Sequence, residues 1–78
     1  MNYETQKIRA AVYVRVSDES ERAILDNQRE AAVQYVQVRG WGGCPIYEDV
    51  ASGKNNDRPG LNALRSDVKA RRINLVVF

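Results

Sequence analysis

Two kinds of side chain alternate along the segment IRAAVYVRVS, which runs from Ile8 to Ser17. One face carries Ile8, Ala10, Val12, Val14 and Val16, and the other carries Arg9, Ala11, Tyr13, Arg15 and Ser17. Period-two patterning with many β-branched residues predicts a β-strand over Ile8–Val16. A strand whose two faces only fill a core would not carry an arginine among these side chains. The strand therefore either lies at the edge of a sheet or directs its polar end at a ligand.

A helix is expected from about Asp26 to Arg39, after a polar and charged segment, residues 17–24, that is typical of a mobile loop. Asp26 is a suitable N-cap, and Gly40 stands where a helix commonly ends. The apolar face of this helix would be formed by Leu25, Ala32, Tyr35, Val36 and Val38.

Two further strands and a second helix are predicted in the rest of the chain. Ile46–Glu48 is a short strand candidate, and residues 51–57, ASGKNND, have the composition of a loop. The second helix should begin near Pro59, because proline is tolerated in a first helical turn. Its apolar stripe would consist of Leu61, Leu64 and Val68. The final run INLVVF, residues 73–78, is expected to be a strand buried on both faces of a parallel sheet.

The resulting β-α-β-α-β order predicts an α/β domain, with a mainly parallel sheet covered by helices. We expect residues 8–78 to form this one domain, after a disordered polar leader at residues 1–7. Because the sequence ends at Phe78, within its most hydrophobic segment, we also expect the domain to be incomplete at the C-terminus.

Composition excludes several classes of function. The sequence contains no histidine, which rules out Ser-His and Cys-His mechanisms and histidine-based zinc sites. Its one cysteine, Cys44, cannot form an internal disulfide and fits a cytoplasmic location. No apolar run approaches the roughly 20 residues of a membrane helix, so we expect no membrane partner. A net charge of +2 permits a polyanionic partner without requiring one.

Polar residues gather where the parallel strands would end, which is where ligands bind in such sheets. Ser17 follows the first strand, Ser52 follows the second, and Asp57 and Arg58 stand at the start of the second helix. Together with Arg15, these groups would suit a phosphate, which a helix N-terminus also attracts. We expect Ser17 and Arg58 to lie close enough to share one phosphate. The same residues also allow a simpler interpretation, as loop, packing and solvated surface positions.

Several motifs in sequence order resemble those of one enzyme family. They are YVRVS at residues 13–17, Gln28 within LDNQRE, ASGKNNDRPGLNAL at residues 51–64, and the strand INLVVF. From about Ile8 to Phe78 the chain resembles the N-terminal catalytic domain of serine recombinases, which include resolvases, DNA invertases and large phage or transposon integrases. The resemblance implies a three-layer, resolvase-like fold.

The resemblance also implies a role for each matching residue. Ser17 would be the nucleophile that attacks a DNA backbone phosphate, releasing a 3′-hydroxyl and leaving a 5′-phosphoserine link. Arg15 and Arg58 would bind that phosphate. Tyr13, Gln28, Ser52 and Asp57 match further active-site positions. The implied partner is double-stranded DNA, bound by a homodimer or tetramer of the full-length protein, with neither a metal nor another cofactor.

The sequence departs from the family pattern in two ways. The interval between Ser17 and Gln28 is longer than in small resolvases, and the family's D-R-L-x-x-R block would follow Phe78. Without those arginines the chain alone should not cleave DNA, and its last strand should promote self-association.

One alternative function is that of an inactive remnant that serves as an oligomerisation or interaction module. Another is a flavodoxin-like or nucleotide-binding domain, which would need a glycine-rich turn where SDESER stands.

Overall fold

The computed structural model describes residues 8–50 and 58–78. The strands are β1 (Ala10–Val16), β2 (Ile46–Val50) and β3 (Leu75–Val77); the helices are α1 (Arg22–Val38) and α2 (Pro59–Lys69), with a short 3-10 turn at Glu19–Glu21. The predicted β-α-β-α-β order is confirmed. The proposed leader, residues 1–7, and the loop at residues 51–57 lie outside the described residues. Within the described residues, no helix is long and apolar enough to cross a membrane.

The three strands form one parallel sheet in the order β2-β1-β3. β1 pairs with β2 from Val12 to Val16 and with β3 from Ala10 to Val12. The strand that carries Tyr13, Arg15 and Ser17 at its polar end is therefore central in the described sheet. Because β1 has a neighbouring strand on each side, an edge position does not explain why Arg15 stands in this strand.

The sheet lies between the two helices, as a three-layer α/β fold requires. On one face, Val12, Val14 and Val16 pack with Leu25 and Val36 of α1. On the other face, Ala11 and Tyr13 pack with Leu64 of α2 and with Ile73. The alternation in the sequence thus reflects a strand covered on both sides, with each set of alternate residues facing a different helix.

The start of α1 differs from the prediction, because the helix begins at Arg22 and not near Asp26. Residues 17–24 are therefore not one loop: the 3-10 turn leads directly into the helix, and this places Leu25 in the core at 1 % exposure. Asp26 is not the N-cap but accepts a hydrogen bond from Arg29 within the helix. Two residues of the predicted apolar face, Tyr35 and Val38, are exposed.

The second half of the chain follows the prediction more closely. β2 extends two residues beyond the predicted end, and α2 begins at Pro59 as expected. β3 is shorter than predicted and only half-buried, because it has one neighbouring strand in the described sheet. Val68, which was assigned to the apolar stripe of α2, is exposed.

Candidate active site

Ser17 stands immediately beyond the carboxyl end of the central strand, and its side chain is exposed. The following 3-10 turn, in which the Glu21 N–H donates to the Asp18 carbonyl at 3.0 Å, turns the chain back toward the strand end. As a result, the Glu21 carboxylate contacts Ser17 twice. The Oε1 atom accepts one hydrogen bond from Ser17 Oγ at 2.8 Å and another from the Ser17 N–H at 3.1 Å.

The charges of two arginines influence the pKa of Tyr13. Burial raises the pKa of Tyr13 to about 12, helped by the hydrogen bond to Asp49 and its negative charge, while the charges of Arg15 and Arg58 oppose the rise. Both guanidinium groups therefore lie within electrostatic range of the Tyr13 hydroxyl, although one comes from β1 and the other from the residue before α2.

Gln28 lies on the exposed side of α1, near the same strand. It lines a cavity of about 830 Å³ together with Tyr13 and Arg15, where β1 continues beyond the end of β3. Three of the seven candidate site residues therefore share one cavity. Ser52 and Asp57 lie outside the described residues, and the close approach of Ser17 to Arg58 stays a prediction.

Asp49, near the end of β2, supports the candidate site and was missed by the sequence analysis. It is buried, with 4 % of its surface exposed. Its carboxylate accepts hydrogen bonds from the Tyr13 hydroxyl at 2.7 Å, from the Gly60 N–H at 2.7 Å and from the Leu61 N–H at 2.9 Å. One signal was available: aspartate is rare in strands, and Arg58 is a poor N-cap for the helix that follows it. A helix without its own cap needs one from elsewhere in the fold.

The cap that Asp49 provides changes the expectation for the start of α2. Pro59 has no N–H, Asp49 accepts from the Gly60 and Leu61 N–H groups, and the Asn62 N–H donates to the Arg58 carbonyl at 2.9 Å. The expected free N–H groups are therefore already bonded, and a carboxylate stands where the helix would attract a phosphate. A phosphate at this edge would have to be bound by the arginine side chains.

The same contacts modify the expected role of Tyr13. Its hydroxyl has one hydrogen to donate, and Asp49 accepts it. In the described structure the tyrosine has a supporting role, in which it links the central strand to β2 and to the start of α2, and its contact with a substrate phosphate stays a prediction.

The packing at the start of α2 depends on a glycine. A Cβ atom at position 60 would lie 2.5 Å from the Glu48 carbonyl oxygen and 2.9 Å from Asp49 Oδ1. Only glycine lets the helix start approach β2 closely enough for the Asp49 contacts to form.

In the part of the chain that the structure describes, no three acidic, cysteine or histidine side chains are placed to bind a metal ion together.

Comparison with known proteins identifies the family. The family model described as "Resolvase, N terminal domain" matches residues 10–78. The chain belongs to this resolvase family. Its fold is also similar to the crystal structure of the C-terminal catalytic domain of ISC1926 TnpA, an IS607-like serine recombinase, with a TM-score of 0.78 and 33% sequence identity. No curated protein matches the sequence.

The similarity to that structure covers 88% of this chain and 47% of the other. This resolvase-family chain therefore spans about half of the solved catalytic domain. The family description refers to an N-terminal domain, whereas the solved structure is a C-terminal catalytic domain.

Proposed function

We propose that this chain is part of the catalytic domain of a site-specific DNA recombinase, which cuts and rejoins DNA through a 5′-phosphoserine intermediate on Ser17. The observation that carries the proposal is the place of Ser17 in a resolvase-family domain: an exposed hydroxyl at the carboxyl end of the central strand. In parallel α/β sheets this edge is where ligands bind.

Arg15 and Arg58 are proposed to bind the phosphate that Ser17 attacks. The charges of both arginines act on Tyr13, and guanidinium groups form paired hydrogen bonds that match the oxygens of a phosphate. They would also stabilise the charge that develops on the phosphoryl oxygens in the transition state. Gln28, in the same cavity as Arg15, is proposed to contact the DNA backbone, and Ser52 and Asp57 complete the proposed set.

Double-stranded DNA is the proposed substrate, and a dimer or tetramer of the full-length recombinase is the proposed acting form, in the cytoplasm and without a cofactor. The arginine-rich site supports a polyanionic substrate. Rejoining needs two cut ends held together, which requires more than one protomer. Cleavage by the 78-residue chain alone is not expected, because it spans only about half of the solved catalytic domain.

The test uses a recombinase that carries this domain and a nicked DNA substrate on which the covalent intermediate accumulates. Ser17→Ala should abolish the protein–DNA adduct on a denaturing gel and leave DNA affinity nearly unchanged, because affinity depends largely on phosphate contacts elsewhere. Ser20→Ala, which removes another exposed hydroxyl three residues away, is the matched control and should keep the adduct. An adduct that persists in the Ser17 variant excludes Ser17 as the nucleophile.

A further inference from the structure

We infer that Glu21 is the general base of the site, the group that accepts the proton of Ser17 when its oxygen attacks phosphorus. This inference rests on the proposed function, since it concerns the activation of the same serine. The reacting oxygen already donates its hydrogen to Glu21 Oε1 at 2.8 Å, within the range that proton transfer requires. The second contact, from the Ser17 N–H at 3.1 Å, holds the same carboxylate oxygen beside the hydroxyl.

The composition of the site limits which groups can accept the proton of the Ser17 hydroxyl. A serine hydroxyl is a weak nucleophile until a base takes its proton, and the sequence contains no histidine. Arginine cannot accept a proton, because its guanidinium group stays protonated in proteins. A carboxylate accepts the proton of the attacking hydroxyl in protein kinases, which also transfer a phosphoryl group. Glu21 offers this chemistry at hydrogen-bond distance from the reacting atom.

The neighbouring charges leave Glu21 available for this role. Nearby acidic groups on the turn, α1 and β2 are engaged in ion pairs: Glu19 pairs with Arg22, and both Asp26 and Glu48 pair with Arg29. Among the ion pairs of the described residues, none includes Glu21. The hydrogen bonds described for its carboxylate both come from Ser17.

In the proposed step, the proton of Ser17 Oγ passes to Glu21 Oε1 while Oγ forms a bond to phosphorus. The bond between phosphorus and the 3′-oxygen breaks, and the departing oxygen takes a proton from solvent to become the 3′-hydroxyl. Rejoining is the reverse: the 3′-hydroxyl gives its proton to solvent as its oxygen attacks phosphorus, the bond between phosphorus and Ser17 Oγ breaks, and Glu21 returns a proton to Oγ. The substrate phosphate approaches from the side that Glu21 leaves open, where Arg15 is exposed on the same strand face.

The test measures Ser17 reactivity without DNA, so that it does not depend on recombination. The 78-residue chain is treated with a fluorophosphonate, an electrophilic phosphorus compound from which fluoride departs when a serine oxygen attacks. Intact mass gives the labelling rate, and peptide mapping identifies the labelled serine. Glu21→Gln keeps a hydrogen-bond acceptor of the same shape but removes the base, and should slow Ser17 labelling by about 10²-fold or more.

The pH profile separates a base from a merely structural contact. Between about pH 5 and pH 9, labelling of the wild-type chain should depend little on hydroxide concentration, because Glu21 supplies the base, whereas in the Gln variant the rate should rise in proportion to hydroxide concentration. Glu19→Gln is the matched control, because it removes an equal charge from the same turn; its rate should stay within about twofold of wild type. Glu21→Asp keeps a carboxylate, and should retain the wild-type profile at a reduced rate.

Three results would overturn the inference. The first is a Gln variant that reacts as fast as wild type with the same pH profile. The second is an equal loss in the Glu19 control, which would show a general effect of charge. The third is a wild-type Ser17 that labels no faster than Ser20. If Glu21→Gln does not fold, as judged by circular dichroism, the Glu21→Asp variant decides: a hydroxide-dependent profile there contradicts the inference. Because no DNA is used, the outcome is independent of whether the recombinase forms an adduct.

Discussion

The strand face that carries Tyr13, Arg15 and Ser17 has two parts that are built differently: one is packed against the start of α2 (the α2 side), and the other is open to solvent at the strand end (the open side). On the α2 side, Asp49 is buried and joins Tyr13 to the first turn of the helix, and a glycine at position 60 allows the elements to touch. On the open side, Arg15 and Ser17 are exposed, and Ser17 contacts only its near neighbour Glu21 among the hydrogen bonds described.

This difference distinguishes residues that stabilise the fold from residues that are proposed to react with a substrate. Buried polar groups with every partner satisfied make a rigid base, whereas reactive groups must reach a substrate and so cannot be enclosed. We therefore expect substitutions on the open side to change reactivity with little loss of stability. Substitutions on the α2 side should do the reverse, lowering stability first.

The largest effect expected from a single substitution is on the rate of DNA cleavage. Arg15→Ala or Arg58→Ala should each lower the single-turnover rate of DNA cleavage by about 10²–10³-fold, as does the loss of one donor that stabilises transition-state charge. Arg65→Ala removes an exposed positive charge from α2 and serves as the control. For Arg15, the free energy of unfolding should change by about 0.5 kcal/mol or less. A rate loss below tenfold for both arginines would assign them a structural role.

Asp49→Ala should have the largest effect on stability. It leaves the Tyr13 hydroxyl and two helix N–H groups without their acceptor, which should lower the free energy of unfolding by about 2–4 kcal/mol. Urea denaturation followed by circular dichroism measures this. Asp26→Ala, at an exposed ion pair, should change the same quantity by about 0.5 kcal/mol or less. Equal losses for the two aspartates would remove the distinction between the two sides.

Gly60→Ala tests the close approach of α2 to β2. Replacing a helical glycine by alanine usually stabilises a helix by up to about 1 kcal/mol. Here we expect a loss of about 1–3 kcal/mol, because the new Cβ would meet the Glu48 carbonyl and force the backbone to move. At Gly42 the nearest atom is the flexible Gln37 side chain at 3.4 Å, so Gly42→Ala should be nearly neutral. A stabilising Gly60→Ala would contradict the described packing.

Tyr13→Phe gives the smallest effect and a distinct pH dependence. Losing the hydroxyl should lower the free energy of unfolding by about 1 kcal/mol at neutral pH. Tyrosine ionises near pH 10 in an unfolded chain, whereas the pKa of Tyr13 is raised to about 12 in the folded one. Its contribution is therefore complete below pH 10 and is lost as the pH rises through 12. The stability of wild type and variant should converge over this window; curves that stay parallel would contradict the Tyr13–Asp49 contact.

The sequence predicts most of the fold because its strongest patterns are local. The alternation of β1, the proline at the start of α2 and the order of elements all depend on neighbouring residues, and all are found in the structure. The start of α1 was misplaced because charge in SDESER was taken as loop composition. The actual start is set by the need to bury Leu25, a tertiary requirement that residue propensities do not contain.

The site was predicted unevenly for the same reason. Arg15, Ser17 and Arg58 could be proposed as site residues from strand ends and from the family motif. Asp49 and Glu21 could not, because their roles come from contacts that form only on folding. Asp49 reaches residues more than ten positions away in the chain, and Glu21 meets Ser17 only because a 3-10 turn reverses the chain.

The most direct test of the account is the identity of the residue that becomes linked to DNA. A recombinase carrying this domain would be trapped on a nicked substrate, the DNA trimmed with nuclease, and the modified peptide sequenced by mass spectrometry. The account predicts a single linkage, through phosphorus to Ser17, the residue at the carboxyl end of the central strand. A linkage on Ser20, or on a tyrosine, would contradict it.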